Sequence, residues 1–103
     1  MTYTLAFRVT REVWDALERG EKMVEYRDTT FFWDARMKNA RRAIGQGREA
    51  LFLGPPKEKG GLWRKARYNV KGVVPLFLKY VPERWRGYLT TPEVWAVELG
   101  ARI

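Results

Sequence analysis

The sequence predicts one α+β domain over residues 1–103, a small β-barrel of five to six strands with two to three helices. Two observations lead to this prediction. Several segments alternate apolar and polar residues with the period of two that is typical of strands, whereas two segments in the first half have a helical period. The chain of 103 residues is also long enough for a single core and too short for two. We therefore predict strands and helices that share one core.

The first two predicted elements are a strand and a short helix. The strand spans residues 2–9, and one of its faces is apolar, with Leu5, Phe7 and Val9. Thr10 is a suitable N-cap for a helix that continues through Arg19, and Gly20 is a suitable C-terminal stop. The apolar stripe of this helix consists of Val13, Trp14 and Leu17.

The next segment, GEKMVEYRD at residues 20–28, combines many charges with the alternation of a strand. Successive side chains of a strand point to opposite faces, so Glu25 and Arg27 share one face and Val24 and Tyr26 the other. We predict that Val24 and Tyr26 enter the core. Glu25 and Arg27 then lie side by side on the opposite surface, with Lys22 at the entrance of the strand.

The rest of the chain predicts a second helix followed by three strands. The helix is capped within residues 28–30 and ends at Gly45, and its apolar stripe consists of Trp33, Met37, Ala40 and Ile44. A short buried strand at 49–54 and a turn-rich loop at 55–61 follow. A long strand at 65–78 bends near Gly72 and Pro75. An irregular segment at 81–92 precedes the last strand at 94–103.

Composition restricts the chemistry. The absence of cysteine and histidine excludes disulfides, thiol catalysis, His-based triads and the usual zinc sites, and we predict neither a metal nor a cofactor. The sequence has no apolar run long enough for a bilayer and no signal-peptide pattern near its start. We therefore expect a cytoplasmic protein without a membrane partner.

The positive charge predicts an anionic partner. The net charge is +8, and residues 53–103 hold ten basic and four acidic side chains. Nucleic acid is the most common reason for such a charge, although solubility or a heat-adapted source would also raise it. The predicted phosphate contacts come from two basic segments and comprise Arg36, Arg41, Arg42, Lys57, Lys59, Arg64, Lys65 and Arg67.

Four aromatic residues lie among these bases, in the stretches WRKARY and ERWRGY: Trp63, Tyr68, Trp85 and Tyr88. Such interleaving is expected where bases stack on rings while cations hold the backbone. Aromatic residues of this kind also cover the edges of cores. Trp14 and Trp33, in contrast, fall on helix stripes and are predicted core residues.

The stretch G-E-K-M-V-E-Y-R resembles the signature of the ASCH family, a branch of the PUA-like superfamily. That signature has the form G-x-K-x-x-E-x-R, and Gly20, Lys22, Glu25 and Arg27 match it. The order of strands and helices is also similar. The resemblance implies a PUA-like barrel with a cleft that is lined by the signature and binds RNA or modified nucleosides. A plain alternative is that Glu25 and Arg27 only pair on a strand surface.

Three functions stay open at this point. We favour binding of single-stranded or looped RNA, or of a nucleotide, by Lys22, Glu25 and Arg27, with Trp63, Tyr68 and the basic segments around them. A second function is hydrolysis of RNA or a nucleoside, for which the candidate catalytic residues are Lys22, Glu25 and Tyr26. The ASCH amidohydrolases imply a threonine three residues after the lysine, where this chain has Glu25. A third function is contact with an acidic protein.

Overall fold

The computed structural model describes residues 2–43 and 46–103. Its elements are β1 (Thr2–Arg8), α1 (Arg11–Glu18), β2 (Val24–Asp28), α2 (Phe31–Arg42), β3 (Gly47–Gly54), β4 (Arg64–Phe77) and β5 (Glu93–Arg102). Two single-turn 3₁₀ helices, Leu78–Tyr80 and Glu83–Trp85, lie between β4 and β5. The predicted α+β class and the order of its elements are confirmed. The predicted roles of Ile44 and Gly45 at the end of the second helix lie outside the described residues.

The strands form one mixed five-stranded sheet in the order β1-β3-β4-β5-β2. β1 pairs with β3 in parallel, and the other three neighbouring pairs are antiparallel. β1 and β2 therefore lie at the two ends of the strand order. A side chain of β2 nevertheless reaches β1, since Nη2 of Arg27 donates to the backbone oxygen of Arg8 at 3.2 Å. The mixed sheet is established, and barrel closure stays a prediction.

β4 is the long strand that the sequence predicts. Its first half pairs with β3 and its second half with β5. The register against β5 shifts between Tyr68 and Gly72, which marks the irregularity in the ladder. A Cβ atom at Gly72 would lie 2.9 Å from Oε1 of Glu98, the end of an exposed and flexible side chain that can move aside. The ladder is thus irregular close to Gly72, whereas Pro75 pairs with Trp95 in regular register, and the predicted bend at these two residues stays a prediction.

α1 is fixed at both ends and packs through its apolar stripe. The side chain of Thr10 accepts a hydrogen bond from the backbone nitrogen of Val13, and Gly20 follows with a φ of 71°. Trp14 packs against the last residue of β3, where a Cβ on Gly54 would lie 2.3 Å from the indole ring. The small residue at position 54 therefore allows this packing.

α2 covers one side of the sheet. Thr30 caps it by accepting from the backbone nitrogen of Trp33, and Met37 and Ala40 are buried. The rings of Trp33 and Phe7 stack with centroids 5.3 Å apart. α2 therefore lies on the side of the sheet that carries Phe7. Within residues 2–43 and 46–103, neither helix is long and apolar enough to cross a membrane.

Candidate functional site

The signature residues meet at the carboxylate of Glu25. Its Oε1 atom accepts hydrogen bonds from the backbone nitrogen of Tyr26 at 3.0 Å and from the hydroxyl of Tyr88 at 3.2 Å. The same oxygen lies 3.0 Å from Nη1 of Arg27 and 3.6 Å from Nζ of Lys22. Four donor groups therefore surround one oxygen and hold the carboxylate in a fixed orientation.

The burial of this cluster corrects a prediction. Glu25 has an exposed fraction of 0% and Lys22 is also buried, whereas we predicted Glu25 on an open surface and Lys22 at the strand entrance. The physical reason is the segment between β4 and β5. Tyr88 of this segment covers Glu25, and Trp85 covers Lys22, so both faces of β2 are shielded.

The second carboxylate oxygen of Glu25 differs from the first. Oε2 is buried and has no hydrogen-bond partner among the residues that the structure describes. A buried charged acceptor without a partner is costly, so such atoms usually meet a water, an ion or a ligand. Oε2 is therefore the oxygen of this carboxylate that the described residues leave without a donor.

A cavity of about 180 Å³ adjoins Glu25. One wall is the end of β1 and the start of α1, with Arg8, Val9, Thr10 and Val13. The opposite wall consists of Glu25, Arg27 and Tyr88. The cavity thus lies at the seam where Arg27 of β2 reaches Arg8 of β1, and we call it the Glu25 cavity. Since Glu25 itself has no exposed surface, it forms the floor.

Arg27 is the most constrained cation in the cavity wall. Besides its contact with Glu25, its Nη1 donates to the backbone oxygen of Tyr26 at 2.8 Å. Its guanidinium carbon lies 4.9 Å from the ring centre of Phe7 and 5.4 Å from that of Trp33. Two aromatic rings and three acceptors therefore fix the guanidinium in the cavity wall. Because the side chain is already ordered, a ligand that contacts it costs little additional side-chain entropy.

Lys22 lies in a different environment from the cavity wall. Its Nζ donates to the backbone oxygen of Val24 at 2.7 Å and lies 4.8 Å and 4.5 Å from the ring centres of Tyr26 and Trp85. Burial lowers the pKa of Lys22, although the charge of Glu25 opposes this effect. The lysine therefore acts first as a packed structural cation.

The three candidate catalytic residues are not gathered in one cavity. Lys22 and Tyr26 line a second small cavity, together with Trp85, whereas Glu25 lines the first. Burial also raises the pKa of Tyr26, which makes its phenolate harder to form. Lys22 and Tyr26 are therefore separated from the carboxylate-lined cavity in which Glu25 lies.

Tyr88 is the member of the cavity wall that comes from the segment between β4 and β5. Burial, followed by the charge of Glu25, raises its pKa, so the phenol stays protonated and donates to Glu25 over the ordinary pH range. Tyr88 as a whole is nevertheless 47% exposed. Nearby, Asp28 holds the end of the segment by accepting from the backbone nitrogens and hydroxyls of Thr90 and Thr91. The sequence analysis missed this role of Asp28.

The two predicted basic segments lie on opposite sides of the sheet. Arg36, Arg41 and Arg42 are exposed on α2, which covers the side that carries Tyr3 and Phe7. Lys65 and Arg67 are exposed on β4, and the inward side chains of that strand alternate with them. The structure therefore does not join all the predicted phosphate contacts into one surface.

A different grouping appears on the outer side of β1, β3 and β4. Arg8 is paired with Leu53, which is paired with Lys65, so the two cations are two strands apart in one row. Arg67 occupies the next row of the same face, where its register partner is Leu51. Its side chain forms an ion pair with Glu49. The guanidinium carbon of Arg8 lies 5.5 Å from the ring centre of Trp63. Arg8, which the sequence analysis missed, thus connects this face to the Glu25 cavity.

The remaining predicted contacts have mixed positions. Lys57 and Lys59 are exposed on the loop after β3. Arg64 is only half-exposed, because its guanidinium lies 4.9 Å from the ring centre of Trp14 and donates to the backbone oxygen of Pro55. Arg64 is therefore engaged in packing more than in binding.

Two of the four predicted stacking residues are core residues in the structure. Tyr68 is 5% exposed and packs edge-on against Phe52 with ring centres 5.6 Å apart. Trp85 is also buried and lies against Lys22. The prediction that Tyr68 contacts RNA is corrected, because residues 66, 68 and 70 of β4 point inward. Arg67, which alternates with them, points outward. Trp63 and Tyr88 are the two of the four with exposed rings.

Comparisons with protein-family models, curated proteins and solved structures found no match. The resemblance to the ASCH family therefore depends on Gly20, Lys22, Glu25 and Arg27 and on the element order. Within the part of the chain that the structure describes, no group of three or more carboxylates has the arrangement of a metal site.

Proposed function

We propose that this protein is an ASCH-type RNA-binding module that holds one base of single-stranded RNA, or of a nucleotide, in the Glu25 cavity. The observation that supports this most is the buried Oε2 atom of Glu25, which has no partner among the described residues. The amino or imino group of a base is a donor that suits such an acceptor. The fold in this proposal is a PUA-like barrel, and the bridge from Arg27 to Arg8 supports closure at the β1–β2 seam.

The charges around the cavity favour a base over simpler ligands. A phosphate at Oε2 would meet a carboxylate at close range, and two anions in a buried site repel each other. A free cation would meet Lys22, Arg27 and Arg8 nearby. A base combines N–H donors for Oε2 with ring nitrogen or carbonyl acceptors for Arg27 and carries no net charge.

Binding in this proposal requires a side-chain movement. Glu25 has no exposed surface, and the exposed Tyr88 ring lies over it. The base enters when Tyr88 turns away, and the ring then lies against the face of the base. In the free protein a water molecule is the natural partner for Oε2, and the base replaces it.

Amide chemical shifts would test the location of binding. The ¹⁵N-labelled protein is titrated with each of the four nucleoside 5′-monophosphates at fixed salt. We expect at least one of them to shift the amides of Arg8, Thr10, Arg27 and Tyr88 in a saturable manner. Phosphate alone is the control, and it should leave the amides of Arg27 and Tyr88 unshifted. Shifts confined to exposed residues of α2, or no saturable shifts with any nucleotide, would contradict the proposal.

Hydrolysis is a second candidate because the pKa of Lys22 is lowered by burial, which favours a neutral, reactive amine. Against it, Nζ is bound to the backbone oxygen of Val24, and Lys22 lies outside the Glu25 cavity. A nucleophilic hydroxyl is also absent at position 25. We expect no release of cytidine from N4-acetylcytidine and no cleavage of RNA. Turnover that is lost in Lys22→Met would make the hydrolase the leading function.

A further inference from the structure

We propose that Trp63 and Arg8 form a second nucleotide subsite, which holds the neighbour of the base in the Glu25 cavity. This inference depends on the proposed function and goes beyond it, because it assigns a path to the RNA strand. On this path, one base occupies the cavity, the linking phosphate contacts Arg8, and the next base stacks on Trp63.

The position of Arg8 is the first argument for this subsite. Arg8 lines the Glu25 cavity and also lies 5.5 Å from the ring centre of Trp63. Its side chain is exposed, whereas its backbone oxygen is held by Arg27. The strand backbone is thus fixed while the guanidinium is accessible. A cation between two base positions is where the phosphate of a dinucleotide would lie.

The state of Trp63 is the second argument. Trp63 as a residue is 51% exposed, although a tryptophan ring is one of the largest apolar surfaces that a chain can bury. Trp63 lies outside the helices and strands, directly before the first residue of β4. An exposed indole beside a guanidinium is the combination on which bases stack in single-stranded nucleic acid sites.

The surface beyond Trp63 continues the positive charge. Lys65 lies in the same row of the sheet as Arg8, two strands away, and its side chain is exposed. Neighbouring strands are about 4.8 Å apart, so the row places the two cations on the order of 10 Å from each other. Later phosphates of a strand that leaves Trp63 would contact Lys65. The cations of α2, on the other side of the sheet, have no part in this path.

Binding constants as a function of chain length would test the subsite. Nucleoside monophosphates and the homopolymeric dinucleotides and tetranucleotides of A, C, G and U are titrated against the wild type, Trp63→Ala and Trp63→Phe. We expect the wild type to bind the best dinucleotide about tenfold more tightly than the best monophosphate. Trp63→Ala should lose this gain and keep the affinity for the monophosphate, and Trp63→Phe should keep most of the gain.

The outcomes separate this inference from the proposed function. A length-dependent gain that persists in Trp63→Ala would overturn the subsite while the cavity still binds monophosphates. Absence of monophosphate binding by the wild type would overturn the proposed function, and with it the subsite. An oligoglutamate peptide of matched charge serves as a further probe. Binding of that peptide as tightly as of the tetranucleotide would assign this face to an acidic protein and overturn the inference.

Discussion

Nζ of Lys22 lies 3.6 Å from Oε1 of Glu25, and both side chains are only 1% exposed. The two residues are three positions apart in the G-x-K-x-x-E-x-R stretch, yet Lys22 precedes β2 and the two side chains line different cavities. The contact between Nζ of Lys22 and Oε1 of Glu25 therefore lies inside the protein, between the two cavities. The signature contributes to the fold as well as to the site, and variants of it must be tested for stability before they are tested for binding.

Lys22→Ala should lower the free energy of unfolding by about 3 kcal/mol. It removes a packed side chain between two rings and leaves Glu25 with one fewer cation. Lys22→Met should cost less, because it keeps the apolar stem. Urea denaturation measures both variants, with Lys38→Ala on the exposed side of α2 as the control. A loss below about 0.5 kcal/mol in Lys22→Ala would show that the buried contacts are weak.

The lowered pKa of Lys22 predicts a dependence of stability on pH. Between its folded pKa and its ordinary value of 10.5, the folded protein binds fewer protons at Lys22 than the unfolded chain does. The contribution of this residue to stability therefore rises with pH in that window. The stability of the wild type relative to Lys22→Met should increase from pH 7 to pH 10, as measured by denaturation. A constant or falling difference would contradict the assigned direction.

Asp28→Asn should destabilise the segment that carries Tyr88. Burial alone would raise the pKa of Asp28, but the hydrogen bonds from Thr90 and Thr91 outweigh it, so this pKa is lowered. The stabilisation is therefore present above the ordinary pKa and is lost as the pH falls through the folded value. We expect a cost of about 1 kcal/mol at pH 7 that shrinks below pH 4. If Asp28→Asn lowered the free energy of unfolding equally at pH 7 and at pH 2.5, the loss would come from altered side-chain packing and not from the charge of Asp28.

Gly54→Ala tests the packing of α1 against β3. The added Cβ would lie 2.3 Å from the ring of Trp14, so the helix must shift. We expect a loss of about 2 kcal/mol in the free energy of unfolding, as is typical of overpacked cores. Gly87→Ala is the matched control, because a Cβ there meets no atom within 4 Å. Equal stabilities of the two variants would show that α1 moves freely on the sheet.

Much of the fold could be predicted from local pattern. Thr10 and Thr30 are N-caps and Gly20 ends α1, and in each case the residue type itself determines the local geometry. The sheet order could not be predicted in this way. It depends on pairings between distant segments, for which alternation carries no partner information.

The site was predicted only in part for a similar reason. Spacing correctly placed Glu25 and Arg27 on one face of β2, and alternation could have shown that Tyr68 points inward. The burial of Glu25 depends on Tyr88, which is 63 positions away. The role of Arg8 likewise depends on its contact with Trp63. Contacts of this kind come from tertiary packing and have no local sequence signal.

The most direct test of the central claim compares two variants that add the same charge. In Glu25→Gln, the donors around Oε1 hold the amide oxygen in place, so the amide nitrogen takes the position of Oε2 and an acceptor becomes a donor. Glu83→Gln makes the same change at an exposed position. Thermal unfolding first confirms that both variants are folded at the assay temperature.

The measurement is the affinity of each variant for the tightest-binding nucleoside monophosphate and for a tetranucleotide of the same base. If the base is held through Oε2, Glu25→Gln should bind at least about tenfold more weakly than the wild type, in line with the cost of an unpaired buried polar group. Glu83→Gln should bind as tightly as the wild type or slightly more tightly, because it only adds positive charge. Equal or increased affinity in both variants would show that RNA is held by charge alone, and it would contradict the assignment of the Glu25 cavity.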